Sequence, residues 1–193
     1  MRKAFTIVEL MIVVAVIAVL MTIVTTASMN AIRSSRAKRR DATCAALQAA
    51  IATYQASNSE GDWPGALKTF ADSGRSGILS EEEAQNVFRI IVQKSTGESG
   101  APLPLIDPHA LFVAPSGARD GRSTGLSYDD ARQGDAHRRR KLPVAQMVFG
   151  YQIPETGKFH RFNVIYHAET DSVEVTTESH SNIDLQYGKK EES

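Results

Sequence analysis

The sequence predicts an α+β protein. One long N-terminal helix, with a membrane half and an exterior half, packs on a C-terminal antiparallel β-sheet. Three observations lead there. Phe5 to Val24 is an apolar run broken by one charge, Glu9. Ala27 to Ser57 contains neither Gly nor Pro and sets Cys44, Leu47, Ile51 and Tyr54 at steps of three and four, the spacing of one helical face. Beyond Met147 the apolar residues change to a period of two, the mark of strands with one buried face.

Each element follows from local chemistry. About 20 apolar residues at 1.5 Å each reach roughly 30 Å, enough to cross the hydrocarbon core of a bilayer. A cleaved secretory signal has a shorter apolar core followed by a small-residue cut site, and here the run leads straight into more helix. No Gly or Pro, at Ala18, Thr26 or elsewhere, interrupts Phe5 to Ser57, so the helix is expected to be continuous from about Phe5 to Ser57. Asn58 to Asp62 are turn formers that end it, and Trp63-Pro64 is expected to open an extended link. Ser80-Glu81-Glu82-Glu83 reads as a capping box, with Ala84, Val87, Phe88 and Ile91 on one face of a helix reaching about Lys94 before Gly97 to Gly100 stop it.

Ala101 to Leu142 is rich in Pro, Gly, Asp and Arg, and irregular structure with one strand near Ala110 to Val113 is expected. Met147, Phe149, Tyr151 and Ile153, then His160, Phe162, Val164 and Tyr166, then Val173 and Val175 alternate across two short turns. They predict a three-stranded antiparallel meander at about 146–178. Three strands cannot cover their own apolar face, and the Cys44 to Tyr54 stripe is the surface available to cover it.

The charge balance excludes several classes of function. Lys plus Arg and Asp plus Glu are equal at 22 each, yet residues 1–40 hold Arg2, Lys3, Arg33, Arg36, Lys38, Arg39 and Arg40 against Glu9 alone. This asymmetry places a basic collar just beyond the apolar run. A single cysteine, Cys44, rules out an intramolecular disulfide and reads as a small packed apolar residue. No G-x-S-x-G, H-E-x-x-H or phosphate-binding Gly loop is present, so the expectation is no enzyme and no cofactor. His109, His137, His160, His167 and His180 share no ligand spacing, and Asp129, Asp130 and Asp135 are loop carboxylates without a calcium-loop pattern, so no metal is expected. The run His137-Arg138-Arg139-Arg140-Lys141 lacks interleaved aromatics, and a nucleic-acid partner is not expected.

Glu9 is the residue that most needs explanation, because an ionised carboxylate at membrane depth costs about 2.5–3.5 kcal/mol on insertion scales. A cut after Ala4 would give Phe5 a new ammonium four residues upstream, the right kind of partner if supplied by a neighbouring helix. Lys3-Ala4-Phe5-Thr6-Ile7-Val8-Glu9-Leu10 resembles the class III signal of type IV pilins and type II secretion pseudopilins. Close likeness covers about the first 55 residues; Ala4 departs from the Gly that usually precedes the cut.

The resemblance implies a pilin-like fold, cleavage by prepilin peptidase between Ala4 and Phe5, N-methylation of Phe5, and assembly through Phe5 and Glu9. The implied domains are 1–4 leader, 5–26 membrane and assembly half of the helix, 27–57 exterior half, and 58–193 globular domain. Implied partners are homologous pilin or pseudopilin subunits, prepilin peptidase, an inner-membrane assembly platform and the lipid bilayer. Counting positive charges alone would put Arg33 to Arg40 in the cytoplasm. The resemblance implies the reverse: a single-pass bacterial inner-membrane protein with Met1 to Lys3 cytoplasmic, its C-terminal domain periplasmic, and incorporation into a periplasmic or extracellular filament. The basic collar then meets either anionic lipid head groups or acidic faces of adjacent subunits. Three functions stay open at this level: a pseudopilin of a type II secretion-like filament, a minor type IV pilin for adhesion or DNA uptake, and a membrane-anchored domain that does not assemble.

Overall fold

The apolar run and the Ala-rich stretch after it form one helix, α1 (Ile7–Ser57), uninterrupted through Ala18 and Thr26. The computed structural model describes residues 7–58, 61–98, 100, 102–134 and 141–178. At 1.5 Å per residue α1 is about 77 Å long. Every residue from Ile7 to Ser35 is exposed, whereas Thr43, Leu47, Ala50 and Ile51 are buried, with Cys44 and Tyr54 half-buried against the same core. The expected stripe is therefore the packed face.

The rest of the described chain wraps that face. Helices α2 (Ala66–Ser73), α3 (Glu81–Thr96) and α4 (Tyr128–Gln133) alternate with strands β1 (Gly77–Ile78), β2 (Phe112–Pro115), β3 (Leu126–Ser127), β4 (Met147–Gln152), β5 (Phe159–Arg161), β6 (Asn163–His167) and β7 (Ser172–Thr176). All pairings are antiparallel, in two sheets ordered β1-β6-β7 and β3-β2-β4-β5. Leu47 and Ile51 of α1, Val87, Phe88 and Ile91 of α3, and Phe149, Val164 and Val175 of the sheets meet in one core. The α+β arrangement of a long helix on antiparallel sheet is as the sequence predicts, and so is the capping box: the Ser80 hydroxyl accepts from the Glu83 N–H while the Glu83 carboxylate accepts from the Ser80 N–H at 2.9 Å.

Three expectations are corrected. The link after Trp63-Pro64 is not extended: it enters α2, whose Leu67 is fully buried and whose end is set by Gly74 in the left-handed conformation. Within 101–142 the expected strand exists as β2, but β3 and α4 were not foreseen. Ser127 caps α4, its hydroxyl accepting from the Asp130 N–H at 3.1 Å, a cue present in Ser127-Tyr128-Asp129-Asp130. The third correction concerns the meander. Its middle strand is cut at Phe162, so β5 pairs with β4 in one sheet and β6 pairs with β7 in the other.

The cut leaves a place in the ladder that a side chain fills. Gly150 faces Arg161 and Tyr151 faces His160, so continued register would set Phe162 opposite Phe149. Phe162 instead turns into the core against Phe88 and Tyr151, with ring centroids at 6.3 and 5.2 Å. Buried Gln85 of α3 serves Phe149: its amide donates to the Phe149 carbonyl at 3.0 Å and accepts from the Phe149 N–H at 2.6 Å. The carboxamide thus substitutes for a peptide group. Beside it, Gly150 is obligatory, since a Cβ there would lie 2.1 Å from the His160 carbonyl oxygen.

Gln85→Leu is expected to strand both Phe149 groups without partners. At about 1–3 kcal/mol per buried unsatisfied group, the loss should be about 2–4 kcal/mol after partial relaxation. Denaturant unfolding of the detergent-solubilised protein, followed by fluorescence of its single tryptophan, checks this.

Candidate assembly stem and its junction with the head

The sequence places its candidate site at the start of α1, and the structure shows what that segment presents. Ala4 and Phe5 lie outside the described residues. Glu9 lies near the start of the described part of α1, and its side chain is exposed. From Ile7 to Ile32 the large apolar side chains are about half or more exposed, from Ile7 at 79% to Ile32 at 50%. Among the described residues, nothing of the head covers this surface. The segment is long and apolar enough to cross a membrane.

The few hydroxyls in the stem are internally satisfied. Thr22, Thr25, Thr26 and Ser28 donate to the carbonyls of Ala18, Met21, Thr22 and Val24 at 2.7–2.9 Å. Each returns its proton to the preceding turn and presents carbon outward, which removes most of the cost of placing it in lipid or against another apolar helix.

Beyond the stem, the basic collar is partly turned inward. Arg36 donates to the Pro154 carbonyl at 3.4 Å and lies over the β4–β5 turn, so closely that a Cβ on Gly157 would sit 2.8 Å from the guanidinium; Gly157 also has φ +68. Arg39 donates to the Ala110 carbonyl at 3.4 Å and stacks 4.3 Å from the Phe112 ring centroid, a cation–π contact. Arg40 pairs with Asp41 at 2.8 Å. Arg33 and Lys38 remain exposed. The sequence foresaw a basic band but not that Arg36 and Arg39 dock the head onto the helix.

At the far end of α1 a second junction holds the head. Asp171, in the β6–β7 turn with φ 45, accepts from the Trp63 indole at 3.0 Å, the Tyr166 hydroxyl at 2.6 Å and the Gln55 amide at 3.4 Å. Trp63 and Tyr166 meet edge-on at 5.9 Å. The Tyr166 hydrogen bond, with those from Trp63 and Gln55, outweighs desolvation and holds the Asp171 carboxyl below its ordinary value. Burial, reinforced by the bond to Asp171, pushes the Tyr166 hydroxyl up to about 12. Four chain segments meet on one carboxylate. No spacing in the sequence announces this, although Trp63-Pro64 marks the place.

Each described histidine lies beside a carboxylate. His109 bonds Asp129 at 2.6 Å, His160 lies 3.5 Å from Asp120, and His167 reaches Glu174 at 3.1 Å. Asp129 and Asp130 serve His109 and the α4 cap, while Asp135 and His137 to Arg140 lie outside the described residues. Among the described residues, no three His, Cys, Asp or Glu side chains gather as metal ligands. Burial pushes the Cys44 thiol up to about 11, leaving it protonated and unreactive near neutral pH.

Comparison with known proteins points to the same stem. Residues 1–25 match the family model described as the prokaryotic N-terminal methylation motif. No curated protein and no solved structure matches the chain. The chain carries the class III signal of type IV pilin-like proteins, continuous with a long apolar helix that ends in an α+β head.

The Asp171 junction makes a pH prediction. A carboxyl held low in the folded state contributes stability that is complete above the unfolded value of about 3.9 and is lost as pH falls through the folded value. Asp171→Asn keeps an acceptor but no charge. It should lower stability by about 1 kcal/mol at neutral pH, allowing for screening at this exposed carboxylate, and the gap to the unmodified protein should close below about pH 4. Thermal unfolding followed by Trp63 emission across that range is the measurement.

Proposed function

We propose that this protein is a pilin-like structural subunit, a pseudopilin that assembles into a type II secretion-like filament. The observation carrying this reading is the coincidence of the methylation motif at residues 1–25 with a helix whose apolar surface, from Ile7 to Ile32, is left uncovered by the described residues of the head. Such a surface is stable in two settings: among lipid chains, and among copies of the same helix. A subunit that is stored in the inner membrane and then drawn into a helical bundle uses both in turn. Prepilin peptidase removes Met1 to Ala4 and methylates Phe5, and the assembly platform moves the processed subunit from bilayer to filament. The head projects into the periplasm, and the function is structural rather than enzymatic.

Glu9 then has a defined task. In the bundle its carboxylate accepts the Phe5 ammonium of a neighbouring subunit, and that contact favours the filament. The pair also fixes axial stagger, because the carboxylate lies four residues, about 6 Å, along the helix from the ammonium of its own chain.

Two experiments test the reading. Intact-mass analysis of membrane-extracted protein should show a chain beginning at Phe5 and carrying one methyl group. Retention of Met1 to Ala4 in cells with active peptidase would reject it. Glu9→Leu should insert into membranes at least as well as the unmodified chain, yet lose filament incorporation. Unchanged subunit-to-subunit cross-linking in that variant would show that the Glu9 pairing is not the assembly contact.

A further inference from the structure

The junction between stem and head contains a cleft of about 100 Å³, lined by Ser35, Arg36, Arg39, Arg40, Phe112 and Tyr151 among others. Three guanidinium groups line a small space, and among the described residues only Arg40 has an acidic partner, Asp41. The contacts of Arg36 and Arg39 are to the Pro154 and Ala110 carbonyls and the Phe112 ring. Among the described residues no carboxylate lies within ion-pair distance of either. Those contacts occupy a minority of the five N–H donors each guanidinium carries, and they hold both side chains in place. The result is a pair of held, forked cations without a counter-charge among the described residues, the arrangement that suits a phosphate or carboxylate.

The position along α1 decides between these anions. Met29 and Ile32 are the last large apolar side chains exposed on the stem. Arg36 follows Ile32 by four residues, about 6 Å along the axis. The exposed apolar stretch from Ile7 to Ile32 is about 39 Å of helix, which a hydrocarbon core of about 30 Å takes up when the helix tilts by about 40°. The polar layer adds about 5–8 Å on each side, so in that setting the cleft stands at the level of the phosphates. Helix side chains also lean toward the N-terminus, which tips these arginines toward the membrane.

We propose that the cleft formed by Ser35, Arg36, Arg39, Arg40, Phe112 and Tyr151 is a binding site for the phosphodiester of a membrane phospholipid. It rests on the reading that the apolar half of α1 lies in a bilayer. Arg36 and Arg39 clamp the phosphate oxygens, the Ser35 hydroxyl is available as a further donor, and the acyl chains run back along the exposed stem. The bound lipid neutralises the junction while the subunit waits in the membrane. Extraction into a filament has to release it.

The test uses the full chain in non-ionic detergent, with native mass spectrometry after addition of phosphatidylglycerol. Recovery with lipid nanodiscs reports insertion separately, so failure of the membrane reading is visible on its own. The unmodified protein should retain one phospholipid. Arg36→Gln with Arg39→Gln should retain at least tenfold less, whereas Arg33→Gln with Lys38→Gln, which removes the same charge outside the cleft, should stay within twofold. If the first pair fails to fold by Trp63 emission, Arg36→Lys with Arg39→Lys keeps the charge and loses the fork, and it should still bind several-fold less. Equal loss in the Arg36/Arg39 and Arg33/Lys38 glutamine pairs would overturn the proposal in favour of diffuse attraction. Binding of glycerol phosphate as tightly as the lipid would overturn the lipid as its source. Absence of retained lipid, with an Arg-dependent dimer in its place, would assign the cleft to a carboxylate of a second copy.

Discussion

One continuous helix has to satisfy two environments, and the rest of the structure depends on how it does so. The first half of α1 is apolar around its circumference and stays uncovered, while the second half buries only Thr43, Leu47, Ala50 and Ile51. A narrow stripe on an Ala-rich helix gives little area for docking a head. The head therefore meets the helix on β7, β4 and α3 at once, and polar contacts at both ends of the stripe supplement the apolar ones.

Those end contacts differ in kind. Near the stem, Arg36 and Arg39 reach carbonyls and an aromatic ring, so their charge is retained and remains available to an anion. At the distal end, Asp171 gathers Gln55, Trp63 and Tyr166 into a network in which the charge is satisfied on the spot. Both junctions orient the helix against the head. The proximal one faces the place where a membrane or a neighbouring subunit would be, which is where unspent charge has a use.

Inside the head, the division into two sheets is a solution to curvature around a rod. A single flat meander would touch α1 along one line. Breaking the middle strand at Phe162 divides the strands between two sheets, so that β7 of one and β4 of the other both reach the helix. The break would expose Phe149 to an unpaired ladder position, and the Gln85 carboxamide repairs it from α3. Gly150 allows the strands to approach closely beside the break.

The sequence alone determined the long helix, its apolar first half, the stripe at Leu47 and Ile51, the Ser80 capping box and the strand periodicity, because each is a local pattern written in consecutive residues. It also marked the N-terminal signal, which depends on residue order rather than on packing. Tertiary structure decided the rest. The alternation through His160, Phe162, Val164 and Tyr166 is unbroken as a pattern, and only the placement of α3 and Phe88 shows that Phe162 leaves one ladder for another. Arg36 and Arg39 read as two members of a basic band until the β4–β5 turn and Phe112 are brought against them. Asp171 is an ordinary turn residue until Trp63, 108 positions earlier, arrives beside it. Periodicity reports which face of an element is buried; it carries no information about which distant atoms will meet there, since that is fixed by how the faces pack together.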